Sequence, residues 1–231
     1  MSVLCTICAR GGSKRLPNKA LRLLNDKPLI SYTIKQALDS KVFAHIVVST
    51  DSKIIADQAK TSGVESWFLR PKELSTDNSN KLDAIRHALS ETERFYKKEF
   101  DTIVDLDITS PLRKVDDIKN ALKHFKDTDA DNLITACRSK KNPYFNMVEI
   151  VNGQVQIIKK LEKQPFGHQD APKTYEMNAS IYIYKRKTLL SSNELFTAKT
   201  SIYEMSENQS IDIDTENDFN IVQFLLKNYY D

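Results

Sequence analysis

The segment that most restricts the fold is the first one. Ser2-Val3-Leu4-Cys5-Thr6-Ile7-Cys8-Ala9 is a short apolar run with β-branched residues, and it passes directly into Arg10-Gly11-Gly12-Ser13-Lys14-Arg15-Leu16-Pro17-Asn18-Lys19. The run is too short for a helix and ends at paired glycines, which predicts a buried strand. Glycines after a first strand let backbone N–H groups approach an anion closely, and cations at this density suit a polyphosphate. The loop lacks the Gly-x-x-x-x-Gly-Lys-Ser/Thr spacing of a Walker A loop and the Gly-x-Gly-x-x-Gly of a dinucleotide site. The plainer alternative is an ordinary strand-to-helix loop with a solvated basic face.

Beyond the loop the hydrophobic period alternates between that of helices and that of strands. Leu29, Ile30, Thr33, Ile34, Ala37 and Leu38 form a helical stripe, and His45 to Thr50 reads as a strand. Asp51 opens a helix through Ile54, Ile55 and Ala59 that Gly63 stops, and Val64 to Leu69 suits a third strand. Leu82 to Phe95 and Val115 to Phe125 read as helices, and Thr102 to Asp107 and Asn132 to Cys137 as strands. Such alternation predicts an α/β domain with a mainly parallel central sheet covered by helices on both faces. After Asn142 the pattern changes: Phe145 to Val151, the Asn152-Gly153 turn and Gln154 to Lys160 predict a β-hairpin. A Pro- and charge-rich stretch from Glu162 to Lys173 leads back to strand character at Asn178 to Tyr184. Residues 139–177 therefore read as an arm inserted in one domain spanning 1–231, and a projecting arm of this kind is expected to form a homodimer contact.

Composition excludes several classes. With 231 residues the chain fits one large domain, and a net charge of +3 implies no general nucleic-acid surface. No apolar stretch approaches the roughly 20 residues of a membrane span, and the N-terminus lacks a signal peptide's charged region. Cys5 and Cys8 lie on a predicted strand whose side chains alternate faces, so their C-x-x-C spacing argues for neither a zinc nor a redox site. A reduced, cytoplasmic protein is expected.

Two acidic pairs carry chemistry. Asp212 and Asp214 are two residues apart, and on an extended backbone they share a face, so the carboxylates conflict until a cation joins them. Mg²⁺ commonly uses one or two carboxylates together with substrate phosphates. The alternative is capping of the last helix by Asp214 or Thr215. Asp105 and Asp107 have the same spacing at the carboxyl end of a central strand, the edge where open α/β sheets bind ligands. Arg70 stands on that same edge, able to read a base or a phosphate or to make a surface ion pair. His45, His87, His124 and His168 show no ligand spacing, and no arrangement suggests a covalent nucleophile.

Six segments in order, Ala9-Arg10-Gly11-Gly12-Ser13-Lys14, Val48-Ser49-Thr50-Asp51, Leu69-Arg70-Pro71, Thr109-Ser110-Pro111-Leu112-Arg113, Asn178-Ala179-Ser180-Ile181-Tyr182 and Ser210-Ile211-Asp212-Ile213-Asp214-Thr215, make the chain resemble the CMP-sialic acid synthetases over almost its whole length. Asp105-Leu106-Asp107, Asn142-Pro143-Tyr144-Phe145-Asn146, Gln164-Pro165-Phe166 and Gln169-Asp170-Ala171-Pro172-Lys173 look like the bacterial legionaminic acid branch. The resemblance implies a Rossmann-like nucleotidyltransferase that joins CTP to a nine-carbon 2-keto sugar acid, a nonulosonic acid, and releases pyrophosphate. Ala9, Arg10, Gly11, Gly12, Ser13, Lys14 and Lys19 would hold the triphosphate, with Arg70 near the cytosine. Asp212 and Asp214 would hold Mg²⁺, for which Mn²⁺ could substitute, and Arg10, Lys14, Lys19 and Asp212 would serve catalysis. Asn178 and Tyr182, with Asp107, Phe145 and His168, would form the sugar pocket.

Departures also carry information. Ala20 stands where sialic acid enzymes have asparagine, and Arg15 where the phosphate loop has a small residue. Phe145 and His168 replace a lysine and an arginine, which argues for N,N′-diacetyllegionaminic acid over N-acetylneuraminate or pseudaminate. Two readings from other classes compete: a glycosyltransferase with Asp105-Leu106-Asp107 as its metal motif, and a non-catalytic nucleotide-binding module.

Overall fold

In the computed structural model, which describes residues 2–229 without the side chains of His168 and Tyr229, the elements follow in the order β1 (Val3–Cys8), β2 (Leu23–Leu24), β3 (Lys27–Pro28), α1 (Leu29–Ser40), β4 (His45–Ser49), α2 (Lys53–Thr61), α3 (Lys81–Tyr96), β5 (Thr102–Leu106), α4 (Val115–Asp127), β6 (Asn132–Arg138), β7 (Val148–Val151), β8 (Gln154–Ile157), β9 (Tyr175–Lys185), α5 (Arg186–Ser191), β10 (Thr200–Glu204) and α6 (Glu216–Tyr229). Six strands form the main sheet in the order β10-β6-β9-β5-β1-β4. β4, β1 and β5 pair in parallel, as do β6 and β10, while β9 runs antiparallel between β5 and β6. The carboxyl ends of β1, β4 and β5 therefore open on one edge, with the first turn of α3 beside them.

Alternation along β1 separates the core into two layers. Val3, Cys5 and Ile7 pack with Ile30 and Ile34 of α1, Ile55 of α2 and Ile118, Leu122 and Phe125 of α4. Leu4 points the other way, to Leu82, Ile85 and Leu89 of α3, and Cys8 packs on that second layer. The two cysteines thus stand on opposite faces. Each buried aliphatic side chain stabilises the fold by about 1.5–3 kcal/mol, so both layers are needed. A third cluster joins the chain's ends: Leu16, Leu24 and Leu29 pack against Ile213 and against Phe219, Val222 and Leu226 of α6. This cluster brings the basic loop and the Asp212–Asp214 segment to the same edge.

Four details differ from the pattern expected of the chain. Val64 to Leu69 does not form a strand; one parallel bridge, Val47 to Glu65, extends the β4 edge. α2 begins at Lys53, because Ser52 and not Asp51 caps it, accepting from the Ile55 N–H at 3.5 Å. Residues 210–214 belong to no strand, although the Ile213 N–H donates to the Thr109 carbonyl at 2.9 Å. β10, an edge strand with only Ile202 and Tyr203 as apolar or aromatic residues, carries no legible alternation.

Between the neighbouring strands β6 and β9 the chain leaves the sheet. β7 and β8 pair only with each other, turning at Asn152 and Gly153, whose φ values of 51° and 77° are those of a left-handed two-residue hairpin turn. Val148 faces Ile157 and Ile150 faces Val155 on one side of this ribbon, and Val148, Ile150 and Val155 are exposed.

Candidate active site

The basic loop is anchored by the end of β4. The Ala9 N–H donates to the Ser49 carbonyl at 3.0 Å, and the Gly11 N–H donates to Asp51 Oδ1 at 2.8 Å. A Cβ on Gly11 would stand 3.2 Å from the Ser52 Cβ, so this glycine allows the close approach of loop to α2; Gly12 faces open space. Ala20, the expected asparagine position, is buried in the first core layer.

A trough runs along the sheet edge from this loop. At one end Arg10, Ser13, Lys14, Arg15, Lys19, Asp77 and Asp214 line a cavity of about 460 Å³. Arg10 and Asp77 also line a neighbouring cavity of about 250 Å³, with Cys8, Arg70, Asn80, Lys81 and Asp107. Asn80 and Lys81 line a third, of about 210 Å³, walled by Tyr182, Tyr184 and Leu195. Ala9, Gly11 and Gly12 line none of the three, and the Ala9 and Gly11 N–H groups are taken up by Ser49 and Asp51.

Each cation at the loop end faces a carboxylate. Asp77 binds Arg10 at 2.9 Å and also Lys14. Asp214 binds Lys19 at 3.0 Å and Arg15 at 3.1 Å. The Lys19 ammonium also donates to the Ile213 carbonyl at 2.6 Å. Arg15, unexpected in such a loop, therefore has a partner here. Lys19 is the most enclosed of the set, 13% exposed against 81% for Lys14.

Helix α6 is capped without help from the acidic pair. Thr215 and Asp218 form the reciprocal box, with the Thr215 N–H donating to Asp218 at 2.8 Å and the Asp218 N–H to Thr215 Oγ1 at 3.2 Å. Asp212 and Asp214 are thus spared from capping. Asp212 Oδ1 is buried with no hydrogen-bond partner. Burial pushes this carboxyl up to about 6; a Thr109 hydrogen bond and Lys19 oppose that, while Asp107 and Asp214 add to it. An orphaned carboxylate oxygen among acids is what a hard divalent cation relieves, so the donor set fits Mg²⁺. Among the described residues no cluster of three or more His, Cys, Asp or Glu is placed to hold a metal.

The middle of the trough is organised by β5. Pairing sets Thr6 of β1 on one side of Asp105 and Tyr182 of β9 on the other. Thr6 Oγ1 donates to Asp105 Oδ1 at 2.8 Å. From the start of α3, Lys81 reaches Asp105 Oδ2 at 2.9 Å and Asp107 Oδ2 at 2.7 Å, 4.8 Å over the Tyr182 ring. Asp107 Oδ1 accepts from the Thr109 N–H and hydroxyl at 3.1 and 2.9 Å. Burial would raise Asp107, but Lys81 and the Thr109 bonds hold it down to about 2. For Lys81, burial works downward and the two aspartates prevail, raising it well above the usual lysine range. Asp105 and Asp107 thus share the Lys81 ammonium.

Arg113 secures the turn after β5. Fully buried, it donates to the Ser180 carbonyl at 2.6 Å and to Gln36 Oε1 at 3.0 Å, and burial pulls it down to about 10. Asn178 is buried as well: its carbonyl accepts from Thr135 at 2.7 Å and its amide donates to Ser210 at 2.9 Å, tying β9 to the segment before Asp212. Arg70 is buried, its Nε donating to Ser75 Oγ at 3.0 Å, and it lines the 250 Å³ cavity.

The trough thus brings together Arg10, Ser13, Lys14, Lys19, Arg70, Asp107, Tyr182 and Asp214, with Asp212 beside Thr109 beneath it. Phe145 is half-buried on the arm and lines none of its three cavities; the side chain of His168 lies outside the described residues. Asp77 and Lys81 had no signal of their own in the sequence. An acidic i, i+2 pair ending a buried strand does demand a nearby cation, and that demand could have pointed to Lys81.

Comparison with known proteins shows the family and the fold. The cytidylyltransferase family model matches residues 4–230. Post-translational flagellin modification protein B of Campylobacter coli is 46% identical over 225 residues, covering 97% of this chain and 95% of that one. CMP-N,N′-diacetyllegionaminic acid synthase of Campylobacter jejuni is 48% identical over 224 residues, covering 97% and 94%. The solved structure of CMP:2-keto-3-deoxy-manno-octonic acid synthetase complexed with CTP superposes with a TM-score of 0.72 at 18% identity, covering 98% of this chain and 99% of that one, which shows a shared fold. The chain belongs to the cytidylyltransferase family and is a nucleotidyltransferase.

Proposed function

We propose that this cytidylyltransferase transfers CMP from CTP to the anomeric hydroxyl of a nonulosonic acid, with N,N′-diacetyllegionaminic acid as its substrate. The observation that carries the proposal is the continuous trough in which a four-cation end, suited to a triphosphate, adjoins an acidic and aromatic middle. Arg10, Lys14 and Lys19 bind the phosphates, and Arg70, which lines the neighbouring cavity, meets the base. The sugar hydroxyl attacks the α-phosphorus and gives its proton to water, the bond from that phosphorus to the bridging oxygen breaks, and pyrophosphate leaves with the negative charge that these cations neutralise. Such chemistry relies on positioning and charge stabilisation more than on covalent participation by the protein.

Asp212 and Asp214 are the residues that would hold Mg²⁺, with Mn²⁺ as a substitute; the cation would offset phosphate charge as it develops. Asp107, held by Lys81 and Thr109, and Tyr182 form the wall where nucleotide and sugar meet. The sugar choice is supported by the 48% identity to the Campylobacter jejuni CMP-N,N′-diacetyllegionaminic acid synthase, since Phe145 lines none of the three cavities of this chain; one methyl group changes selectivity by only about 1–3 kcal/mol. The exposed apolar face of the β7–β8 ribbon supports pairing of two chains through the arm. Pyrophosphate release with CTP, measured against legionaminic, neuraminic, pseudaminic and eight-carbon 2-keto acids, tests the assignment. The N,N′-diacetyllegionaminic acid rate should be highest; equal rates on the neuraminic acid would reject the sugar assignment, and no release with any acid would reject the function.

A further inference from the structure

We propose that Asp77 is a built-in competitor for the polyphosphate, a carboxylate that occupies the Arg10–Lys14 site when no nucleotide is bound and reclaims it as pyrophosphate departs. This rests on the trough being a CTP site. Asp77 binds both Arg10 and Lys14 and lines both the 460 Å³ and the 250 Å³ cavities, so it stands where a triphosphate would cross from one to the other. Among the described residues no other carboxylate lines both cavities. Asp214 plays a similar part toward Lys19 and Arg15, but as a metal-binding candidate it has reason to remain in a loaded site; Asp77 has none.

The strap that carries Asp77 is built to present it. It leaves the sheet edge at Arg70, whose N–H donates to the Thr50 carbonyl at 2.8 Å, and ends at Asn80, the cap of α3. Within it, Ser79 Oγ donates to the Glu73 carbonyl at 2.7 Å and accepts from the Thr76 N–H at 3.0 Å, so Asp77 projects from a closed turn. Its side chain is 39% exposed and that of Lys14 81%, so the pairs are screened and exchangeable. A polyphosphate offers several charges to the same cations and displaces a single carboxylate, whereas a monoanion competes with it on equal terms. The returning carboxylate weakens the hold on pyrophosphate and so favours product release.

The test is equilibrium binding of magnesium pyrophosphate and of CTP to the full chain, by calorimetry at fixed ionic strength, for the wild type, Asp77→Asn and Asp77→Ser. Asp127→Asn, which changes the net charge equally but removes only the partner of Lys123 on α4, is the control. Loss of the competitor should tighten both ligands roughly 3- to 10-fold, the size of one or two exposed ion pairs. KM for CTP should fall with it, while KM for the sugar acid stays constant. Unchanged or weaker pyrophosphate binding in both Asp77 variants, or equal tightening in Asp127→Asn, overturns the proposal. A wild-type chain that binds pyrophosphate but turns over no nonulosonic acid would break the functional reading and leave this one standing.

Discussion

The two acidic regions of the trough use the same side chains to opposite ends. At the phosphate end, Asp77 and Asp214 meet Arg10, Lys14 and Arg15 in half-exposed pairs, each contributing on the order of 1 kcal/mol or less. At the end of β5, Asp105 is fully buried, and Lys81 links it to an Asp107 already fixed by Thr109. Asp105 is the deeply buried partner and Lys81 is 36% exposed, so breaking this arrangement costs less than the 3–5 kcal/mol of a fully buried pair, about 2–3 kcal/mol. On the proposal above the first region exchanges Asp77 for a ligand, while the second, tied from β5 to α3, serves as a wall.

The largest effect on stability should come from breaking the wall. Lys81→Met leaves the buried Asp105 without its cation, and chemical denaturation should show a loss of about 2–3 kcal/mol. Asp212→Asn should separate stability from activity. Turnover should fall by about 10²–10³, near 3 kcal/mol, as for removal of a charge-stabilising group. The apo protein should at the same time gain stability near pH 8. Asp212 is raised in the fold to about 6, so its cost develops as pH climbs from the ordinary carboxylate range through 6 and is complete above that. Discounted for partial exposure, the gain is about 1 kcal/mol, or roughly 2–4 °C in melting temperature, and Mg²⁺ should stabilise only the wild type.

Asp107 works with the opposite sign. Its folded value of about 2 means a contribution that is present above the ordinary aspartate range and lost as pH falls toward 2. Melting curves between pH 6 and 3 should show about half of this loss, which totals about 2 kcal/mol below pH 2, in the wild type and much less of it in Lys81→Met. Arg15→Ser is the mildest change: it removes one exposed pair to Asp214, so stability should shift by less than about 1 kcal/mol and KM for CTP by a few-fold.

Much of this arrangement is legible in the amino-acid order. Short apolar runs locate β1 and β5, which are buried on both faces, and period-3.6 stripes locate α1 and α4, which bury one face. The 64–69 segment misleads because its apolar residues, Trp67 and Phe68, serve an aromatic cluster with Phe95 and Tyr96 instead of a ladder. Asp212 and Asp214 are recognisable as a pair, but not the reason both stay free of capping, which lies in the Thr215–Asp218 box. Lys81 and Asp77 are invisible because their meaning depends on partners 24 and more residues away, joined through parallel crossovers that local patterns do not encode.

The most direct measurement tracks the α-phosphate of labelled CTP in the presence of N,N′-diacetyllegionaminic acid and Mg²⁺. Label should appear in a CMP-sugar with one pyrophosphate released per product. Label remaining in CTP, or appearing as a nucleoside diphosphate, would contradict the assignment of the trough to cytidylyl transfer.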